Sequence, residues 1–593
     1  MDFKTSGFRS LVEALEYAAT GETGINFYDG RGELESVLTY RTLKDEAQLL
    51  AKKLLGLGCP RGSRVAIVAE TDPMFHKLFF ACQYAGMLPV ALPAGVQLGA
   101  HDAYVTQLRQ MLQSCGAAVA VAPPSHVGFL QEAAAPLSGV RAGLLDELDA
   151  LEPSERPLEP LTEQEPAYLQ YTSGSTRFPR GVEISQISVL NNLQEIAEFG
   201  LMLDSNDRFV SWLPLYHDMG LVGFVLLPLA TQLSVDLMSP RTFAMRPRLW
   251  LKVISENRGT IASSPPFGYA LCAKRLRPSD VEKYDLSSWR AACVGAERTH
   301  PKPLNDFAEA LAGTGFDPRS FVACYGMAEC ALAVSFAPLN SGVSMDIVDK
   351  GRMADDLVAE PLDVNDWRDS SSLVFVDCGA VMPSYEFAIR DRAGNDLPER
   401  HCGHICLRGP SVMRGYFQNP EATAEVLSED GWLDTGDIGY RVGNHVYITA
   451  RSKDVIIVNG RNIWPQDLEH LADGMPGVRQ GNVSAFAAPT PTGEDVAVLV
   501  VESRESDPDK RRALVAVLEA EVRVHFGITA YVDLVDPGTL PRTSSGKLAR
   551  AKTKQDFMAR AADVDARWRP EALACGAKYP RTARAVGKAE AFG

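Results

Sequence analysis

The chain has 593 residues, of which 46% are hydrophobic and 23% charged, and a formal net charge of −16. That length exceeds a single core and predicts about three or four structural units, while the acidic balance argues against general nucleic-acid binding, which needs a basic face. The longest apolar run, residues 220–230, contains Pro228 and is too short to span a bilayer; with no apolar segment after the charges at the start and eleven cysteines in no framework, a soluble, cytoplasmic protein with reduced thiols is expected.

Leu43, Ala47, Leu50 and Leu54 recur at helical spacing, and Gly56 and Gly58 stop that helix before the buried strand Arg64-Val-Ala-Ile-Val-Ala69. Residues 75–84 read as a second helix ended by Gly86, and Pro89-Val-Ala-Leu92 reads as the next strand, so the N-terminal region is α/β with parallel strands. Next comes Tyr171-Thr-Ser-Gly-Ser-Thr-Arg-Phe-Pro-Arg-Gly-Val182, a loop suited to phosphate. Its glycines Gly174 and Gly181 let the backbone approach an anion, the hydroxyls of Thr172, Ser173, Ser175 and Thr176 donate hydrogen bonds, and Arg180 adds charge. It is not a Walker loop, since G-x-x-x-x-G-K-[ST] is missing.

Strands follow at residues 208–212 and 260–264, and from about residue 371 the pattern changes to short strands with turn residues at 385–389, 403–407 and 445–448, a small β-rich subdomain. His401, Cys402, His404 and Cys406 invite a metal reading. Adjacent residues on one strand rarely close a tetrahedron, however, so a core strand is expected there. A domain boundary is placed near residue 451, followed by a strand at 496–501, a helix at about 510–525 and an Ala/Arg-rich tail after Ala561.

The loop at 171–182 resembles the signature of the adenylate-forming superfamily, the acyl-activating enzymes that make acyl-AMP from a carboxylate and ATP. Further motifs follow in that family's order. Cys324-Tyr-Gly-Met-Ala-Glu329 resembles Y-G-x-T-E, which implies that Tyr325, Gly326 and Met327 hold the adenylate and that Glu329 binds Mg²⁺; Ala328 replaces the usual threonine. Trp432-Leu-Asp-Thr-Gly-Asp437 resembles the motif whose last carboxylate, here Asp437, accepts from the ribose diol. Arg451-Ser-Lys-Asp-Val-Ile-Ile-Val-Asn-Gly460 resembles the hinge motif, with Arg451 on ribose or phosphate and Lys453 as the pivot. Leu540-Pro-Arg-Thr-Ser-Ser-Gly-Lys-Leu548 is similar to P-x-T-x-S-G-K, and implies that Lys547 contacts the substrate carboxylate and the α-phosphate. A cation is needed there, since two unit charges about 4 Å apart repel by roughly 4 kcal/mol at an effective dielectric of 20. The loop departs from the family in Arg177 for glycine and Arg180 for lysine.

Tyr216-His-Asp-Met-Gly220, containing His217, resembles the acyl-side motif of enzymes that activate fatty or aryl acids, and the apolar run 221–229 is either a channel lining or a buried helix. Residues 263–273 and Gly295-Ala296-Glu297 resemble fatty acyl-AMP ligases in particular. An extra acidic segment at about 339–372 resembles the insertion of those ligases, which implies restrained rotation of the C-terminal domain and disfavoured coenzyme A; otherwise it is a tolerated surface loop.

The resemblance implies an α/β fold with a large N-terminal domain of αβα subdomains plus the β-rich subdomain (1–450, the latter about 371–450) and a small mobile α+β C-terminal lid with tail (451–593). It further implies ATP, Mg²⁺ and a fatty acid as reactants, and transfer of the acyl group to an acyl carrier protein or a carrier domain of a polyketide or nonribosomal synthase. Arg550, Lys552 and Lys554 are expected to form a basic patch for that acidic carrier. Rival readings are an acyl-CoA synthetase using the same adenylation chemistry and a catalytically idle nucleotide-binding protein.

Overall fold

The computed structural model describes residues 3–95, 101–172, 179–363, 371–458, 461–490, 495–543 and 547–562. Two compact units emerge, Met1–Arg352 with Leu357–Thr449, and Met353–Asp356 with Ala450–Gly593.

In the larger unit, alternating apolar strands and capped helices build a layered α/β body. Thr39 caps the Tyr40–Gly56 helix by accepting from Thr42 N at 3.1 Å, and Asp72 caps Pro73–Ala85, accepting from Met74 N at 2.7 Å. That second helix ends at Gly86, whose φ of 67° suits glycine. The strand Arg64–Val68 is apolar on both faces because both are covered: Val65 and Ile67 enter the main core, while Ala66 and Val68 meet Tyr104, Leu108 and Leu112 of the His101–Cys115 helix. Its sheet runs Arg141–Leu144, Ala117–Ala122, Arg64–Val68, Leu88–Leu92, Pro166–Tyr171 and Gly181–Ser185, parallel except for the last pair.

A second sheet carries the parallel strands Ser234–Met238, Arg208–Ser211, Ile261–Ser264, Ala291–Val294 and Phe321–Gly326 in that spatial order. Ion pairs fasten their amino ends. Asp207 accepts from Arg290 at 2.6 and 2.8 Å and from Thr260 Oγ1 at 2.8 Å, joining the starts of three strands, and the fully buried Asp236 accepts both arms of Arg208. Burial works against ionisation of Asp207, but Arg290 and the hydrogen bonds outweigh it and hold the carboxyl below its usual range.

Antiparallel strands continue this sheet through Ala333–Phe336 and Ser372–Val381 into the β-rich strands Glu386–Arg390, Gly403–Arg408, Leu433–Val442 and His445–Arg451. The extra segment is not an unstructured loop where it is described. Met345–Asp349 adds a strand to Ser372–Val381, Asp349 caps the short Lys350–Asp356 helix, and Asp346 accepts from Arg400 at 2.9 Å and from the Tyr440 hydroxyl at 2.7 Å. Residues 364–370 lie outside the described residues.

The His/Cys row of 401–406 lies along the Gly403–Arg408 strand and its approach. Cys402 and Cys406 are buried, and His404 pairs with Asp434 at 3.1 Å. Every described cysteine is a free thiol, and among the described residues no helix is long and apolar enough to cross a membrane.

The smaller unit packs Pro465–Asp473 and Pro508–Phe526 on a sheet of Val478–Pro489, Asp495–Ser503 and Ala530–Val535, around Leu468, Leu499, Leu518 and Val532. Phe557, from the Arg550–Ala562 helix, packs on the opposite face with Phe486, Val498 and Leu540. Within this unit Asp355 accepts from Arg461 Nε at 2.8 Å and the Ala354 carbonyl from Asn462.

Asp473, at the end of its helix, accepts from Gly481 N at 3.0 Å. Burial, aided by Glu469, outweighs that hydrogen bond and raises its carboxyl to about 7. The folded state therefore prefers the protonated acid, so this group's stabilisation is complete below about pH 4, its unfolded range, and is lost as pH rises through about 7. Asp473→Asn should match the wild type in thermal denaturation near pH 4 and exceed it at pH 8; equal midpoints across that range would show that Asp473 titrates normally.

Candidate active site

Register decides where the motifs meet. Ser264 aligns with Val294, the last residues of their strands, and Val294 aligns with Ala323, three residues before the end of Phe321–Gly326. The chain segments that follow them are Ser264 onward, Gly295-Ala296-Glu297 and Tyr325 to Glu329, and the neighbouring strand ending at Ser211 leads to Trp212 and His217. Ligands of open α/β sheets sit at such carboxyl ends. The turns are tight: Ala296 has φ +69° and Ala331 φ +62°, each a conformation that costs an L-residue of order 1–3 kcal/mol and clusters at working sites.

Tyr325 donates its hydroxyl to Asp437 Oδ2 at 2.7 Å, although the two are 112 residues apart. The carboxylate is 4% exposed, and its backbone is set by Thr435, whose Oγ1 accepts from Asp437 N and donates to the Ile405 carbonyl. Glu329 is oriented in the same way: Tyr416 donates to its Oε1 at 2.9 Å, and the Glu329 carbonyl accepts from Met413 N. Burial and the adjacent Glu329 push the Tyr416 hydroxyl well above its ordinary range, so it stays a proton donor.

Arg180 completes this side. Its guanidinium lies 4.9 Å from the Tyr416 ring centroid and contacts Glu425 at 3.2 Å, while its backbone exchanges hydrogen bonds with Thr172 and closes the base of the phosphate loop. The segment 415–417 is stitched to the far limb of that loop by Glu183 N to the Gly415 carbonyl and Phe417 N to the Gly181 carbonyl. Ser173, Gly174, Ser175, Thr176 and Arg177 lie outside the described residues.

His217 caps the turn that starts at Asp218, with its Nδ1 2.5 Å from Asp218 Oδ1. Gln170, on the strand entering the phosphate loop, donates to the Tyr216 carbonyl at 2.7 Å and so ties the acyl-side motif to that strand. A Cβ at Gly220 would collide with the Pro214 carbonyl, which makes glycine obligatory there. The run 221–229 is helical with a π-turn over Val222–Leu226 and is wholly buried in the main core.

Arg451, Lys453 and Lys547 belong to the smaller unit. Arg451 and Lys453 are exposed around a turn in which Asp454 N donates to the Arg451 carbonyl. Lys547 is half-buried, and its carbonyl accepts from Thr543 N at 2.7 Å. The expected basic patch needs correction: the Arg550 side chain is only 17% exposed and is held by Asp454 at 2.6 Å and Glu469 at 2.8 Å. Burial opposes its charge, but the two carboxylates outweigh it and raise the guanidinium further. Lys552 is exposed and pairs with Asp556 at 2.9 Å.

Among the described residues no group of three or more His, Cys, Asp or Glu could hold a metal. A single fixed carboxylate, Glu329, suits Mg²⁺, which is commonly bound through one or two carboxylates plus substrate phosphates and water. Tyr416 was not anticipated from the sequence. Its neighbour Gly415 and its aromatic type were the available signals, but nothing in its spacing points 87 residues back to Glu329.

Residues 23–417 match the AMP-binding enzyme family. The chain belongs to that family. It is 45% identical, over 93% of its own length and 96% of the relative's, to a Caulobacter vibrioides protein whose name proposes an acyl-CoA synthetase. It is 30% identical to the long-chain-fatty-acid–AMP ligase FadD26 of Mycobacterium tuberculosis, over 88% of this chain and 91% of that one. A solved structure from a study of fatty acyl-adenylate ligases of E. coli and L. pneumophila superposes with a TM-score of 0.88 at 43% identity, covering 95% of this chain and all of the other. The fold is therefore that of an adenylate-forming enzyme, and the chain is an acyl-activating, ATP-using member similar to fatty acyl-AMP ligases.

Two substitutions test the geometry. Tyr416→Phe removes a hydrogen bond to a carboxylate worth about 1.5–3 kcal/mol and should slow acyl-AMP formation by roughly tenfold or more while lowering the melting temperature by only a few degrees; a wild-type rate would show that Glu329 needs no orienting phenol. Gly326→Ala places a Cβ against the Leu332 carbonyl and should abolish activity; a wild-type rate would show that this turn yields freely.

Proposed function

We propose that this enzyme joins a fatty acid to AMP, releases pyrophosphate, and passes the acyl group to the phosphopantetheine thiol of a carrier protein. The observation that carries the first half is the pair of oriented carboxylates, Asp437 under Tyr325 and Glu329 under Tyr416, at the carboxyl ends of the parallel strands. Residues 1–450 act as the adenylating domain, with 371–450 as its β-rich subdomain, and 451–593 as a lid that pivots at Lys453.

In the adenylation step a carboxylate oxygen attacks the α-phosphorus, the bond to the bridging oxygen breaks, and pyrophosphate leaves. Asp437 holds the ribose, assisted by Arg451. Thr172, Arg180 and the hydroxyl loop between them hold phosphate, and the turns Gly295-Ala296-Glu297 and Tyr325-Gly326-Met327 flank the adenylate. Glu329 holds Mg²⁺, which neutralises phosphate charge when bound. His217 serves the acyl side, and Lys547 bridges the two anions, offsetting a repulsion of roughly 4 kcal/mol. In the transfer step the thiol sulfur attacks the carbonyl carbon and AMP departs.

The acyl-CoA synthetase reading has one specific support, the name of the Caulobacter relative. Against it stands the described part of the extra segment, where Met345–Asp349 is strand-paired and Asp346 is anchored to Arg400 and Tyr440, an order that a tolerated loop does not need.

Product analysis with ATP, Mg²⁺ and mixed fatty acids separates the readings. Acyl-AMP should persist with coenzyme A and be consumed by a phosphopantetheinylated carrier; efficient acyl-CoA synthesis would overturn the ligase reading. Lys547→Ala should lower pyrophosphate release about a hundredfold or more, as loss of a charge-stabilising donor does.

A further inference from the structure

The segment bearing Lys547 is held at both limbs by carboxylates, one buried and two half-buried. On the entering limb, Glu502 is 1% exposed, pairs with Arg479 at 2.5 Å, and accepts from Gly538 N at 2.9 Å and Leu540 N at 3.0 Å. On the leaving limb, Arg550 stands three residues after Lys547 and donates to Asp454 at 2.6 Å and, through two nitrogens, to Glu469 at 2.8–3.2 Å. Between the limbs, Ala549 N donates to the Pro541 carbonyl and Thr543 N to the Lys547 carbonyl. Asp454 is the residue after Lys453, and Glu469 lies in the Pro465–Asp473 helix and also accepts from Ala485 N at 2.9 Å.

A surface arginine would need none of this. A buried guanidinium that reaches two carboxylates from two separate segments fixes distances between those segments, because its planar fork permits one geometry. We propose that Arg550 is a positioning residue that locks the lysine-bearing limb to the segment after Lys453 and to the Pro465–Asp473 helix, so that Lys547 is presented as part of one rigid body. The inference rests on the role given to Lys547 under the proposed function. A lysine on a loose hairpin would reach the reacting anions only part of the time, and the rate would fall with that fraction while substrate binding stayed intact.

The test is a double-mutant cycle on acyl-AMP formation. Arg550→Lys keeps the charge and loses the fork; it should lower kcat about tenfold or more while leaving KM for ATP and fatty acid within about threefold. In the Lys547→Ala background the same change should cost nothing further, because a residue acting only through Lys547 has nothing left to position. Asp454→Asn, which leaves Glu469 in place, repeats the cycle should Arg550→Lys melt early. A wild-type kcat for both variants, or a full additional loss in the double variant, overturns the positioning role and leaves the lysine's role intact. Undiminished acyl-AMP formation by Lys547→Ala would instead overturn the lysine's role, and this inference with it.

Discussion

The register of neighbouring parallel strands is the constraint on which the larger unit depends. Because Ser264, Val294 and Ala323 stand in register, two of these strands end level, and Phe321–Gly326 runs three residues further and carries Tyr325 and Gly326 past them. Register of this kind is not free. Asp207, Thr260 and Arg290 join the amino ends of Arg208–Ser211, Ile261–Ser264 and Ala291–Val294, and Arg208 with Asp236 joins Ser234–Met238 to them. Removing one partner of such a buried pair typically costs 3–5 kcal/mol, more than replacing the whole pair by apolar groups, so the pairs act mainly as registers. The charged chemistry of one end of the sheet therefore sets the geometry of the other.

Beyond that other end, Asp437 and Glu329 share a device. Each accepts a hydrogen bond from a tyrosine hydroxyl, Asp437 from Tyr325 and Glu329 from Tyr416. An aspartate or glutamate left to itself rotates among several positions, and its first ligand would have to freeze it. A phenol fixed by its own ring packing removes that cost in advance and, being far from ionisation, never competes as a second anion. Tyr416 does more than this, since its ring also lies beneath Arg180 and its backbone is paired to the strand leaving the phosphate loop. One residue thus connects the phosphate side with the Glu329 side.

Much of the fold could be read in the sequence, because buried parallel strands are apolar on both faces and their helices carry local caps. Arg64–Val68 and Pro73–Ala85 fall within a residue or two of their expected limits. Pairings between distant residues were not legible. Nothing around Tyr416 names Glu329, and nothing in 345–349 names Ser372–Val381 as its partner, since an acidic stretch with few apolar residues has the composition of a loop until its edge is covered.

Arg550 shows why charge alone misleads. In sequence, Arg550, Lys552 and Lys554 form one basic run, and a run of like charge is ordinarily a solvated face. Two residues apart on a helix, however, side chains point in nearly opposite directions. The same turn that exposes Lys552 to Asp556 directs Arg550 inward, to Asp454 and Glu469. Arginine suits that place because two carboxylates on separate segments call for donors that diverge in a fixed plane. The limb that bears Lys547 is held at both its ends by ionic contacts, Glu502 with Arg479 on one side and Arg550 with Asp454 and Glu469 on the other.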